Sequence, residues 1–167
     1  MLLDEFYNYK NQLMEDLLTN QEILRLLSDD YQTISNPRTM MYKQVFPYEY
    51  IPDTVEHGQT FICCDVDIQR SMNKTFLVPV LYIWEFTHKS KLRLPNGGGV
   101  RTDKLASEIA KAINGSRMYG LGELDFYSAK RFAPINDYQG KVLTFQADEF
   151  NRLSPTNKPV PSKRRHS

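Results

Sequence analysis

The stretch Thr75-Phe76-Leu77-Val78-Pro79-Val80-Leu81-Tyr82-Ile83-Trp84-Glu85-Phe86-Thr87-His88 decides the fold class. Phe76, Val78, Val80, Tyr82, Trp84 and Phe86 alternate with Leu77, Pro79, Leu81, Ile83 and Glu85. A period of two is that of a strand. Both alternating sets are largely apolar, which predicts a long strand covered on two sides. Pro79 has no N–H to give to a ladder, so it requires an edge position or a bulge. Upstream, residues 59–70 predict a second strand, with Ile62, Cys64, Val66 and Ile68 on one face and Phe61, Cys63, Asp65 and Asp67 on the other. Ser71-Met72-Asn73-Lys74 reads as the turn between them, so the two strands form a hairpin.

Before this hairpin the pattern is helical. Leu2, Leu3, Phe6, Leu13, Leu17 and Leu18 recur at three-, four- and seven-residue spacings. Thr19 and Glu22 have capping-box spacing, which predicts a break and a second short helix through Leu27. Residues 30–58 are loop-rich, because each of Pro37, Pro47 and Pro52 disfavours helix at the residue before it. Tyr42 to Phe46 predicts a short strand, and Phe46, Tyr48 and Tyr50 place an aromatic face on this segment.

After the hairpin comes a basic, glycine-rich loop from Lys89 to Arg101, whose three consecutive glycines predict little rigidity of its own. Leu105, Ile109, Ala110 and Ile113 then form the apolar stripe of a helix, with Thr102 as its expected cap and Asn114-Gly115 as its stop. Leu124 and Phe126 alternate with polar neighbours, Val142 to Ala147 alternates more strongly, and residues 133–140 connect the two. Residues 153–167 carry three prolines, four basic residues and no periodicity, which predicts an extended tail. The expected architecture is α+β. A small, mainly antiparallel sheet is flanked by an N-terminal helix and one central helix, with a domain over 1–152, a long loop and a tail over 153–167.

Composition narrows the function. A length of 167 residues suits one domain, and a net charge of +1 provides no global field toward nucleic acid. Lys163-Arg164-Arg165-His166 is the one basic cluster, and it lies in the tail. Adjacent Cys63 and Cys64 point to opposite faces of a strand, so no disulfide joins them. Met1 to Phe6 carries acids and no basic region, unlike a signal peptide, and no apolar run approaches the ~20 residues of a membrane span. Ten Tyr and nine Phe exceed what a core of this size buries, and amphipathic aromatics favour protein interfaces.

Candidate chemistry is sparse. Gly97-Gly98-Gly99 is followed by Val100-Arg101-Thr102, without the lysine and hydroxyl of a phosphate loop. Arg101 at a helix start offers at most a simple anion site. His57, Cys63, Cys64 and His88 lack zinc-ligand spacing. Asp65, Asp67 and Glu85 are the alternative: carboxylates on neighbouring strands can hold a divalent metal for a nuclease, although Lys89 is misplaced for that pattern. No catalytic, cofactor or metal residue is therefore assigned, and the chain does not read as an enzyme.

A resemblance rests on Tyr82-Ile83-Trp84-Glu85-Phe86-Thr87-His88-Lys89-Ser90, on Arg101-Thr102-Asp103-Lys104-Leu105-Ala106-Ser107-Glu108-Ile109, and on Gly115-Ser116, Tyr119-Gly120-Leu121-Gly122 and Asp148-Glu149-Phe150-Asn151-Arg152. In this order, covering roughly half the chain, they resemble the tail-terminator or tail-completion (neck) proteins of tailed bacteriophages. The resemblance implies a ring, expected as a hexamer, on the head-proximal end of the tail tube. It implies as partners the tube protein, the head-closure or connector protein, and the sheath where the tail is contractile. It also implies a place in the virion neck after assembly in the host cytoplasm, and no cofactor. A head-side connector role is the neighbouring alternative. Genome DNA would pass through the lumen without sequence-specific binding, which a near-neutral chain permits. Expected assembly contacts are Lys89, Lys91, Arg93, Pro95, Gly97, Gly98, Gly99 and Arg101 in the loop. In the tail they are Pro155, Lys158, Pro159, Pro161, Lys163, Arg164 and Arg165.

Overall fold

The computed structural model describes residues 5–52, 58–70, 77–117 and 122–147. The expected turn at 71–74 and the tail at 153–167 lie outside the described residues. The chain runs α1 (Phe6–Leu17), α2 (Gln21–Leu27), β1 (Val45–Phe46), β2 (Thr60–Arg70), β3 (Leu77–His88), α3 (Arg101–Ile113), β4 (Leu124–Phe132) and β5 (Tyr138–Ala147). It is an α+β fold, as its alternating apolar periods require.

The five strands lie in the order β1-β2-β3-β5-β4. All neighbours are antiparallel except β1 and β2, which pair in parallel through Val45 with Ile62 and Phe46 with Cys63. β3 is central. Its pairing with β2 extends past Pro79, opposite Ile68, whereas its pairing with β5 begins only at Val80 opposite Gln146. Among the described residues Pro79 thus stands where β3 has one partner, which is the edge condition its missing N–H imposes.

The sheet's first face carries the main core. Ile62, Cys64, Val66, Leu81, Ile83, Leu143 and Phe145 pack against Leu13, Met14 and Leu17 of α1, Ile23, Leu24 and Leu27 of α2, and Leu105, Ile109 and Ile113 of α3. Among the described residues, an aromatic cluster covers one end of the second face. Phe46, Phe61, Cys63, Phe86 and Tyr138 are buried there, with Tyr50, Trp84, Phe132 and Ile135 packed on them. Phe46 stacks on Tyr50 at 4.1 Å and Phe61 on Phe86 at 5.4 Å. Beyond that cluster Tyr82 and Thr144 on the second face are only half-buried.

Two details of the helices differ from the expected ones. The cap of α2 is Asn20, whose side chain accepts from Glu22 N at 3.0 Å and Ile23 N at 3.1 Å; the Thr19 hydroxyl instead donates to Asp16 O. α3 starts two residues earlier than expected, at Arg101 with Val100 as its N-cap, so Thr102 is inside the helix and buried rather than capping it. Gln44 ties these layers together, donating to Leu27 O at 2.8 Å and Thr60 O at 2.9 Å from a buried position.

Candidate assembly surface

The loop expected to be loose is closed by its own backbone. Arg93 bridges Val100, Leu94 N donates to Gly99 O at 2.9 Å, Gly98 N to Pro95 O at 3.1 Å, and Arg101 N to Leu92 O at 2.7 Å. Asn96, Gly97 and Gly99 take positive φ, so the glycines permit a tight reversal instead of a floppy span. Leu94 is buried and anchors the base, while Arg93 and Pro95 to Val100 are exposed. The basic residues divide by role. Lys89 bonds Asp137 at 2.7 Å and holds its carboxyl below the ordinary range, and Lys91 is half-buried.

Arg101 is buried, away from the loop's exposed tip. Its Nη1 donates to Leu26 O at 2.5 Å and Ser28 O at 3.0 Å, and its Nε to Lys91 O at 2.8 Å. It thereby caps the C-terminal carbonyls of α2 and joins them to α3. Burial lowers the pKa of its guanidinium, and Asp29 opposes this by its charge.

Large apolar side chains are exposed at both edges of the sheet. At the β4 edge, Tyr127 is 66% exposed and Phe126 is 44% exposed. A register shift falls between Phe126 and Ser128, so Tyr127 leaves the simple alternation. At the β1 edge, Tyr42, Tyr48 and Ile51 are exposed, with the Tyr48 ring 5.6 Å from that of Phe46. Alternation in the sequence sets Phe126 with Leu124 on one side of the strand and gives no sign of the bulge. The adjacency of Phe126 and Tyr127 is the one signal that could have revealed it, since one of two neighbouring aromatics in a strand must leave the core.

The carboxylates of the nuclease reading do not converge. Glu85 pairs with Ile62 and Lys141 on the helix-covered face, whereas Asp65 and Asp67 pair with Tyr82 and Val80 on the other. Asp65 is joined to Lys10 at 3.1 Å. Among the described residues no three His, Cys, Asp or Glu side chains are placed to hold one metal ion. Cys63 and Cys64 are both buried on opposite faces, and burial pushes the Cys63 thiol up to about 12 and the Cys64 thiol higher still, so neither is a ready nucleophile. No described helix is long and apolar enough to cross a membrane.

Glu85 is 0% exposed, and neither carboxylate oxygen has a hydrogen-bond partner among the described residues. Desolvation raises its pKa well above 4.5, opposed by Lys141, whose own Nζ is bonded to Asp103. The folded pKa exceeds the unfolded one. The stability Glu85 contributes is therefore complete below the unfolded value and declines as pH rises through the folded one. Glu85→Gln removes that decline. Its urea-unfolding free energy should fall less between pH 5 and pH 8 than the wild type's, with a gain of about 1–2 kcal/mol at pH 8. Parallel pH curves for the two proteins would mean that Glu85 is paired in solution.

The family model of YomW matches residues 20–147. No curated protein matches the chain. Among solved structures, one chain of "Virion of native gene transfer agent (GTA) particle" is similar at a TM-score of 0.48 and 17% identity, over 81% of this chain and 89% of that one.

Proposed function

The chain belongs to the YomW family, a phage-derived family, and from that premise we propose that it is a structural protein of a phage-type virion, forming a ring at the head-proximal end of the tail tube. The ring ends tube polymerisation and offers the surface to which the head connector joins. The reading is non-enzymatic: side chains are used to hold copies and neighbours together. One observation carries it, the pair of unlike apolar patches at the two edges of one sheet. Tyr42, Tyr48 and Ile51 lie by β1, and Phe126 and Tyr127 lie on β4. A closed ring is built from head-to-tail contacts, in which one patch meets a different patch on the next copy. The sequence resemblance supplies the tail-end position and the partners. The closed loop at 93–100 is a second projecting element suited to a neighbouring ring.

Native mass spectrometry and electron microscopy of the purified chain test this. The expected result is a closed ring of about six copies that binds tail tubes. Tyr127→Glu places a charge in the apolar contact and should shift the population to monomer while far-ultraviolet circular dichroism stays unchanged. Deleting residues 153–167 should leave the fold intact and weaken assembly. A wild-type chain that stays monomeric at every concentration and never binds tubes sinks the proposal.

A further inference from the structure

A groove of about 840 Å³ lies between the end of α1 and the turn at 36–42. Its chemistry is mixed in a particular way. Leu18, Pro37, Met41 and the exposed Tyr42 supply an apolar wall, and Glu15 and Asp16 supply carboxylates. Asp16 Oδ2 is buried and has no hydrogen-bond partner among the described residues. Arg38 is also in the lining, which leaves two carboxylates to one guanidinium. An extended, proline-bearing, basic peptide has the matching chemistry. Polyproline II segments lay prolines against exposed aromatic rings and need no partner for most of their backbone, while flanking cations meet carboxylates.

The chain itself contains such a peptide: Pro155-Thr156-Asn157-Lys158-Pro159-Val160-Pro161-Ser162-Lys163-Arg164-Arg165. We propose that this groove seats residues 153–167 of the neighbouring copy in the ring. The inference rests on the head-to-tail reading, which sets the β4 edge of one copy against the Tyr42 edge of the next. β5 ends at Ala147, opposite Leu124 and two positions from Phe126, so the segment that follows begins beside that contact. From Ala147 to Lys158 the chain can extend about 36 Å at ~3.3 Å per residue, enough to cross to the next copy. Tyr42 belongs both to the edge patch and to the groove, so the tail would continue the contact that the β4 edge begins.

Zero-length carbodiimide coupling on the assembled full-length chain tests this, using an equal mixture of unlabelled and 15N-labelled protein. The expected products are amides between Glu15 or Asp16 and Lys158 or Lys163, found as mixed-isotope pairs by mass spectrometry. Arg164→Glu with Arg165→Glu should lower their yield about tenfold, and Tyr42→Asp should do the same. Coupling of the tail lysines to carboxylates across the surface without preference overturns the groove assignment. Products confined to same-isotope pairs overturn delivery by the neighbour. Copy number from native mass spectrometry is read separately, so a ring lacking these cross-links sinks this inference alone, and a monomer sinks the ring.

Discussion

Gly140→Ala should cost about 4 kcal/mol or more and leave little folded protein. Gly140 sits in β5 opposite Phe86 of β3 and Phe132 of β4. A Cβ placed there would lie 1.8 Å from Glu85 O, 2.6 Å from Phe86 Cα and 2.7 Å from Glu85 C. These are backbone atoms of the central strand, so no side chain can rotate aside to make room. The alternatives are to move β5 away from β3 or to bend the strand, and either gives up ladder hydrogen bonds over the buried Phe86. Gly97→Ala is the control. No described atom lies within 4 Å of a Cβ placed there, but φ is +70°, so it should lose only about 1 kcal/mol, from backbone strain. Urea unfolding followed by circular dichroism measures both. A loss under about 1 kcal/mol for Gly140→Ala would show that β5 and β3 have room to separate there.

Arg101→Ala has the second-largest expected effect, about 3–5 kcal/mol. It removes a buried cation that bonds Leu26 O, Ser28 O and Lys91 O. Leu26 O and Lys91 O lose that donor outright, while Ser28 O keeps Tyr31 N at 3.3 Å. Arg101→Lys keeps the charge but has no planar fork, so it reaches fewer of the three and should recover part of the loss. Thermal unfolding and hydrogen exchange at α2 check this. An Ala variant with wild-type exchange at the end of α2 would mean that water serves those carbonyls equally well.

Much of the fold was legible because burial repeats with the period of each element. The faces of β2 and β3 follow from alternation alone: Ile62 and Cys64 lie against the helices, Phe61 and Cys63 against the aromatic cluster. The stripe of α3 from Leu105 to Ile113 was equally direct. What could not be read were relations across the chain. Nothing local in Val45-Phe46 says that it pairs in parallel with Ile62-Cys63, and nothing in Val142 to Ala147 says that β5 inserts between β3 and β4. Gly140 looked like the end of a loop because a strand glycine is diagnosed only by the backbone pressed against it. Arg101 was grouped with the basic loop because its carbonyl partners, Leu26 and Ser28, lie over seventy residues away. For the surface, the sequence marked the loop from Lys89 to Arg101 and the tail. It did not mark Tyr42, Phe126 and Tyr127, whose exposure depends on how the sheet ends.

The strand order also governs how the molecule comes together. One antiparallel hairpin, β2 with β3, is complete before Lys89, and another, β4 with β5, lies wholly after Gly122. Each closes over a short span of chain, but they join along a single seam, the ladder from Val80–Gln146 to His88–Tyr138. On a ribosome the first hairpin can form early, and then waits for some fifty further residues before its inner edge is covered. During that interval the uncovered edge of β3 is a template for mispairing with other nascent chains, a hazard that ends when β5 arrives.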